Sequence, residues 1–148
     1  MPVRGIDLSA VSDRYRAIFT VNPFADHFDL EVVSVAPGDA MLRFPFKREF
    51  TQYQGAVQGG VIVAYADASL AVAIAGMLEA GRDFVTTDLA VQFVRPATTG
   101  PITAHGRIVH AGKSLLRGNA VVEIEGAAPV AYCTATFMIV DPRGPADR

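Results

Sequence analysis

The sequence predicts an α+β fold, an antiparallel sheet wrapped around one long apolar helix. Three observations predict it. Between Glu49 and Glu79 every residue is uncharged except Asp67. Four strand-like runs follow that segment, Phe84 to Val94, Ile102 to His110, Leu115 to Glu125 and Val130 to Val140. Two shorter runs precede it, Phe28 to Val35 and Met41 to Phe46. The breaks between runs are short, and short breaks imply antiparallel hairpins. The expected sheet therefore has six strands.

Leu8 to Phe19 predicts a short N-terminal helix, with Ser9 as its cap and Val11, Tyr15 and Phe19 at helical spacing. Asn22-Pro23 reads as its end, and Phe24 to His27 as a connector. Pro37-Gly38-Asp39-Ala40 is a turn between the first two strands. Lys47 to Tyr53 is polar and reads as loop. The long helix starts among Gly55, Gly59 and Gly60 and runs to Glu79-Ala80-Gly81, where Gly81 suits the position after the last turn. Along the last two strands one face carries Leu116, Gly118, Ala120, Val122 and Ile124, then Ala131, Cys133, Ala135, Phe137 and Ile139. Small residues there let a helix approach closely, and Ala64, Ala66, Ala68, Ala71, Ala73 and Ala75 reciprocate from the helix.

Composition sets the outer bounds. The 148 residues fit one domain over 1–148, with mobile ends at about 1–7 and 141–148. With 51% hydrophobic and 19% charged residues, the chain can bury its own core. A net charge of −2 gives no general field for nucleic acid or an anionic membrane, so neither is an expected partner. Val61 to Leu78 approaches the length of a membrane span, but it carries Asp67, Ser69 and Tyr65 and is rich in Ala, which favours a buried helix. The single cysteine, Cys133, excludes an internal disulfide framework and reads as core. No Cys/His/Asp cluster has metal-ligand spacing, so no metal is expected. No N-terminal run has a signal-peptide pattern, which makes a reducing cytoplasm the expected location.

Asp67 is the residue on which function turns. An unpaired carboxylate in an apolar segment costs several kcal/mol or shifts its pKa. Either the structure neutralises it or it does chemistry. Composition alone leaves both readings open.

Gln58-Gly59-Gly60-Val61 opens the long helix, and Asp67 lies nine residues after Gln58. Together with Thr86-Thr87-Asp88-Leu89, Phe93-Val94-Arg95-Pro96-Ala97 and His110-Ala111-Gly112-Lys113-Ser114, this pattern resembles the hotdog-fold acyl-CoA thioesterases. It is most similar to their phenylacetate-degradation (PaaI-like) type. The resemblance covers Phe24 to Val140. It implies a hotdog fold, hydrolysis of an acyl-CoA thioester, and a catalytic carboxylate at Asp67. Two positions depart from the family pattern. Its usual His is Gln58 here, and its common Asn falls on Gln52. Thr86 aligns with a family hydroxyl that holds the water or the base, although a one-residue slip would put Thr87 there instead.

Thioester hydrolysis needs a base or nucleophile, polarisation of the carbonyl, and a grip on the thiol carrier. Asp67 fits the first role. Free amides of Gly59 and Gly60 at the positive end of the helix fit the second, with Gln58 adding a donor. From Leu89 to Val122 there is no acidic residue, while Arg95, Arg107, Lys113 and Arg117 are present. Arg95 and the turn Gly112-Lys113-Ser114 are the candidates to hold the phosphates of coenzyme A. Coenzyme A is then part of the substrate, and no separate cofactor is needed. The acyl pocket is expected among apolar residues of the helix, the third strand and the segment before the motif, with Tyr53, Val63 and Phe93 as examples.

Gln58 and Asp67 are ~13 Å apart along a helix axis, too far to touch one carbonyl. Two antiparallel helices across a two-fold axis would bring Asp67 of one protomer to Gln58 and Gly59 of the other. A homodimer with composite sites follows, with a dimer of dimers also open. The competing reading is a non-catalytic acyl-CoA-binding domain, for which Gln58 in place of His is the main support. A small structural dimer with a vestigial site is the second alternative.

Overall fold

The computed structural model describes residues 22–142. The helix expected over Leu8 to Phe19 lies outside the described residues, as do the chain ends. The rest is a six-stranded antiparallel sheet curled around one long helix. In chain order the elements are α1 (Pro23–His27), β1 (Glu31–Ala36), β2 (Asp39–Phe44), a 3-10 turn (Arg48–Phe50), α2 (Gly59–Ala75), β3 (Asp83–Phe93), β4 (Ile102–Ala111), β5 (Leu115–Ile124) and β6 (Pro129–Val140). The strand order is β1-β2-β4-β5-β6-β3, so β3 and β1 are the edges.

The strands lie where the sequence places them, with no end shifted by more than three residues. The main departure is before β1. Asn22-Pro23 does not end a helix but begins one. The Asn22 Oδ1 accepts from the amides of Phe24 (3.1 Å) and Ala25 (3.4 Å), and Pro23 occupies the first helical position. Asn as cap and Pro at the first position both favour a start. Asp29, with φ of 48°, then turns the chain and delays β1 to Glu31. Phe28 wedges α1 onto the core, 4.7 Å from the Phe50 ring and 5.7 Å from Tyr65.

The helix is shorter than expected at both ends. Residues before Gly59 close a small loop instead. Gln52 N donates to Ala56 O, Gly55 N donates to Gln52 O, and Thr51 bridges Val57. At the other end the helix stops at Ala75, with Gly76 as its cap. A Cβ on Gly76 would sit 2.9 Å from the Ala36 carbonyl oxygen, because the β1–β2 hairpin abuts the helix there. Gly81 does have positive φ, but in the turn that leads into β3.

Ile62, Tyr65, Ala66, Ser69, Leu70 and Ala73 of α2 are buried against the concave face of the sheet. Tyr65 stacks on Phe44 with ring centroids 3.7 Å apart. Leu116, Ala120 and Val122 of β5 and Ala131, Cys133, Ala135 and Phe137 of β6 face inward and are buried, on the face read from the sequence. The alanines of α2 do not all reciprocate. Ala66 and Ala73 are fully buried, whereas Ala64, Ala68 and Ala71 are half-buried and border a cavity. The helix is apolar all round, so its composition could not say which alanines meet the sheet.

Candidate active site

Asp67 lies midway along α2, half-buried. The Thr86 hydroxyl donates to its Oδ1 at 3.0 Å. The register of β3 against β6 decides which threonine does this. Thr86 pairs with Phe137 and Asp88 with Thr136, so β3 carries one extra residue, Thr87, as a bulge. The Thr87 hydroxyl turns to the sheet and donates to Thr136 O at 3.1 Å. The expected position, Thr86, is therefore the one that meets the carboxylate. Burial pushes the Asp67 carboxyl above the ordinary carboxylate range, and the Thr86 hydrogen bond partly opposes this.

Asp67 forms part of the wall of a cavity of about 250 Å³. Ala64, Ala68, Ala71, Val72 and Ala75 of α2 form one side, and Phe24, Ala25, Leu30 and Phe84 face them. The long helix and the third strand supply lining residues, as the sequence predicts, but the example residues do not line the cavity. Tyr53 is 95% exposed, and Phe93 packs over the start of α2. The sequence reading missed this wall because Phe24 and Leu30 were assigned to a connector and a strand. The spacing of Ala64, Ala68, Ala71 and Ala75 on one helix face was the available signal.

Gln58 is the residue before the first turn of α2. Its amide donates to Phe50 O at 2.8 Å, and its exposed side chain caps nothing. The amide of Val61 returns to Gln58 O at 2.9 Å. The amides of Gly59 and Gly60 have no partner among the described residues, as the first amides of a helix do not. They point along the positive end of the helix dipole and can stabilise an oxyanion. A Cβ on Gly59 would lie 3.3 Å from the Phe93 ring, whereas Gly60 faces open space. Gln52 stands on the same depression as Gln58, Gly59, Phe93 and Arg95, but its amide is folded back, bonding both the backbone and the side chain of Gln54.

The two chemical elements are therefore separate within one protomer. Asp67 is eight residues beyond Gly59, ~12 Å along the axis. The carrier-grip candidates are separated as well. Arg95 follows β3 at the end where α2 starts and donates to Pro129 O at 2.9 Å. The turn Gly112-Lys113-Ser114 joins β4 to β5 at the opposite end of the sheet, its Gly112 amide bonded to Leu115 O and its Ser114 carbonyl to Ile139 N. The acid-free run from Leu89 to Val122 is not acid-free in space. Asp39 of β2 accepts from His105 Nε2 at 2.9 Å and from Arg107 Nε at 2.8 Å. Burial pushes the Asp39 carboxyl up, but these two partners hold it below the usual range. His105 and Arg107 are thus committed to the sheet surface.

Burial, reinforced by the negative charges of Asp67 and Asp88, pushes the Cys133 thiol up to about 11. A thiol so raised is no nucleophile at neutral pH, which agrees with its reading as core. No group of three or more His, Cys, Asp or Glu among the described residues is arranged to hold a metal ion. Among the described residues no helix is long and apolar enough to cross a membrane.

Comparison with known proteins gives the family and the fold. Residues 54–130 match the family model described as the thioesterase superfamily. A proposed esterase of Saccharolobus solfataricus is 31% identical over 119 residues, covering 78% of this chain and 81% of the relative. Among solved structures, a thioesterase family protein of Silicibacter pomeroyi superposes with a TM-score of 0.79 at 24% identity, covering 86% of this chain and 96% of the other. The PaaI protein of the E. coli phenylacetic acid degradation operon superposes with a TM-score of 0.79 at 19% identity, covering 85% and 90%. The chain therefore belongs to the thioesterase superfamily, and its fold is the hotdog fold of the PaaI-like type.

Proposed function

We propose that this hydrolase cleaves acyl-CoA thioesters, with Asp67 as the general base on water and the Gly59 and Gly60 amides as the oxyanion hole. The observation that carries the proposal is Asp67 itself, a carboxylate of raised basicity fixed by Thr86 in the wall of an apolar cavity. Asp67 takes a proton from water as the oxygen adds to the thioester carbonyl carbon. Charge develops on the carbonyl oxygen, where two amides and the Gln58 side chain can meet it. Collapse breaks the C–S bond, and the coenzyme A thiolate leaves with the proton. A nucleophilic Asp67 would instead form an anhydride, but a raised pKa favours proton transfer.

The ~12 Å between the two elements requires that each site draw on two protomers. The free edge strand β3, eleven residues long and carrying Thr86, is the surface that supports such a dimer. The same two-fold would bring Arg95 of one protomer toward Lys113 of the other, at the phosphates of coenzyme A.

The test is coenzyme A release across an acyl-CoA panel, followed by subunit complementation. Asp67→Asn and Gly60→Pro each remove one element, and proline is tolerated in a first helical turn. Each variant alone should be inactive. Refolded together at equal amounts they should recover about a quarter of wild-type activity, because half the dimers are mixed and each holds one intact site. An inactive mixture would place both elements in one protomer. Acyl-CoA binding without turnover would make the protein a binding module.

The pH profile gives an independent check. The base must be ionised, so activity falls as pH drops through the Asp67 pKa. The Thr86 hydroxyl favours the ionised form. Thr86→Val should therefore move the acid limb of kcat/KM to higher pH, whereas Thr87→Val should leave it in place.

A further inference from the structure

The cavity beside Asp67 has a direction, and that direction specifies a substrate class. Its lining residues on α2 descend one helix face from Ala64 through Asp67 and Ala71 to Ala75. From Asp67 to Ala75 the channel runs ~12 Å along the helix. Phe24, Leu30 and Phe84 form the opposite side, and Phe28, the residue that follows α1, is pinned between Phe50 and Tyr65. Lys47 reinforces that wall, bonding His27 O at 2.7 Å and Asp29 at 2.8 Å. The wall is thus built rather than incidental. Asn22 and Asp67 are its polar members among the described residues, and the Asn22 Oδ1 is spent on capping α1.

We infer that this channel receives the acyl chain and sets its length, selecting straight, uncharged acyl groups of about ten carbons. The inference rests on the thioesterase reading of Asp67. An extended alkyl chain advances ~1.25 Å per bond, from single bonds near 1.5 Å at angles near 111°. A reach of ~12 Å from Asp67 thus accepts roughly nine or ten bonds. A terminal carboxylate or ammonium would be buried without a partner among Leu30, Phe84 and Ala75, which disfavours ω-charged acyl groups. Ala71 is the gauge. It stands four residues from Asp67, ~6 Å down the channel, and a larger side chain there closes the lower half.

The experiment is a ladder of saturated acyl-CoAs from two to sixteen carbons, with a thermal melt on each variant. In the wild type, kcat/KM should rise about fourfold per methylene and break near ten carbons. In Ala71→Phe the break should fall to about five or six carbons. Ala71→Leu, which adds less bulk, should move it by fewer carbons and serves if the Phe variant does not fold. A break at the same length in wild type and variants, or no dependence on length, overturns the channel. The same ladder is measured as affinity for non-hydrolysable acyl-CoA thioethers. If no acyl-CoA is turned over, the catalytic reading falls, while a break in affinity that moves with residue 71 still supports the channel. Affinities with no such break overturn the channel.

Discussion

Replacing Asp67 with Asn should abolish turnover and make the protein more stable. Loss of a positioned base costs on the order of 10²–10⁴ in rate. The stability effect follows from linkage. Burial raises the Asp67 pKa in the folded state, so the fold binds that proton more tightly than the unfolded chain does. The stability this contributes is present below the unfolded pKa and is lost as pH rises through the folded pKa. At neutral pH the ionised carboxylate is therefore a burden, partly relieved by Thr86. Asn keeps the shape, can still accept from Thr86, and carries no charge. Its melting temperature at pH 7 should exceed that of wild type. The gap should close as pH falls and Asp67 takes up its proton. A variant that is inactive but less stable would mean that Asp67 is a structural ion and not a tuned base.

Gly106→Ala should be among the most damaging single-methyl additions to the core, and Gly118→Ala should not. A Cβ at either position would find a heavy atom at 2.6 Å. At Gly106 that atom is the backbone carbon of Ser69, with Leu70 N and Ser69 O at 2.7 Å. Helix and strand meet there main chain to main chain, and relief requires moving α2 off β4. At Gly118 the nearest atom is Cδ2 of Leu70, the free end of a side chain that can turn, although Arg107 O lies at 3.1 Å. Overpacking against an unyielding neighbour costs ~2–3 kcal/mol, which lowers the melting temperature by about 5–10 °C. Gly118→Ala should cost about 1 kcal/mol or less. Urea melts of the two variants side by side check the contrast, and equal losses would refute the close approach at Gly106. Because α2 carries both Gly60 and Asp67, Gly106→Ala should also depress turnover.

Much of this was legible in the sequence for a physical reason. A chain that is uncharged from Phe50 to Leu78 except at Asp67 has few places to go but inside. Strand-like runs joined by short breaks have few ways to pair. The unread parts depend on contacts between distant positions. Asp39 lies 66 residues from His105, and their pairing across β2 and β4 cannot be foreseen from a charge count. Gly106 reads in the sequence as one glycine in a strand, and only the crossing of α2 over it makes it a close contact. Asn22-Pro23 fits either end of a helix, and the reading that favoured an end hid one wall of the cavity. Asp67, Gly59 and Gly60 were singled out by residue type and spacing. That Asp67 and the helix start cannot meet one carbonyl within a single helix follows from helix rise alone.

The bulge at Thr87 has a consequence for how a single strand serves both ends of α2. Side chains on a strand alternate, so a strand without interruption presents one parity to each face. Before the bulge it is the even positions that face the helix, with Phe84 lining the cavity and Thr86 bonded to Asp67. Beyond it the odd positions do so, Leu89, Val91 and Phe93 pairing with Ala135, Cys133 and Ala131 of the inward face of β6. The extra residue is a phase shift written into the strand. It lets Thr86 and Phe93, seven residues apart and of opposite parity, point to the same side. Deleting Thr87 would restore a single phase and send one of them outward, so the carboxylate and the helix start could not both keep their neighbours on β3.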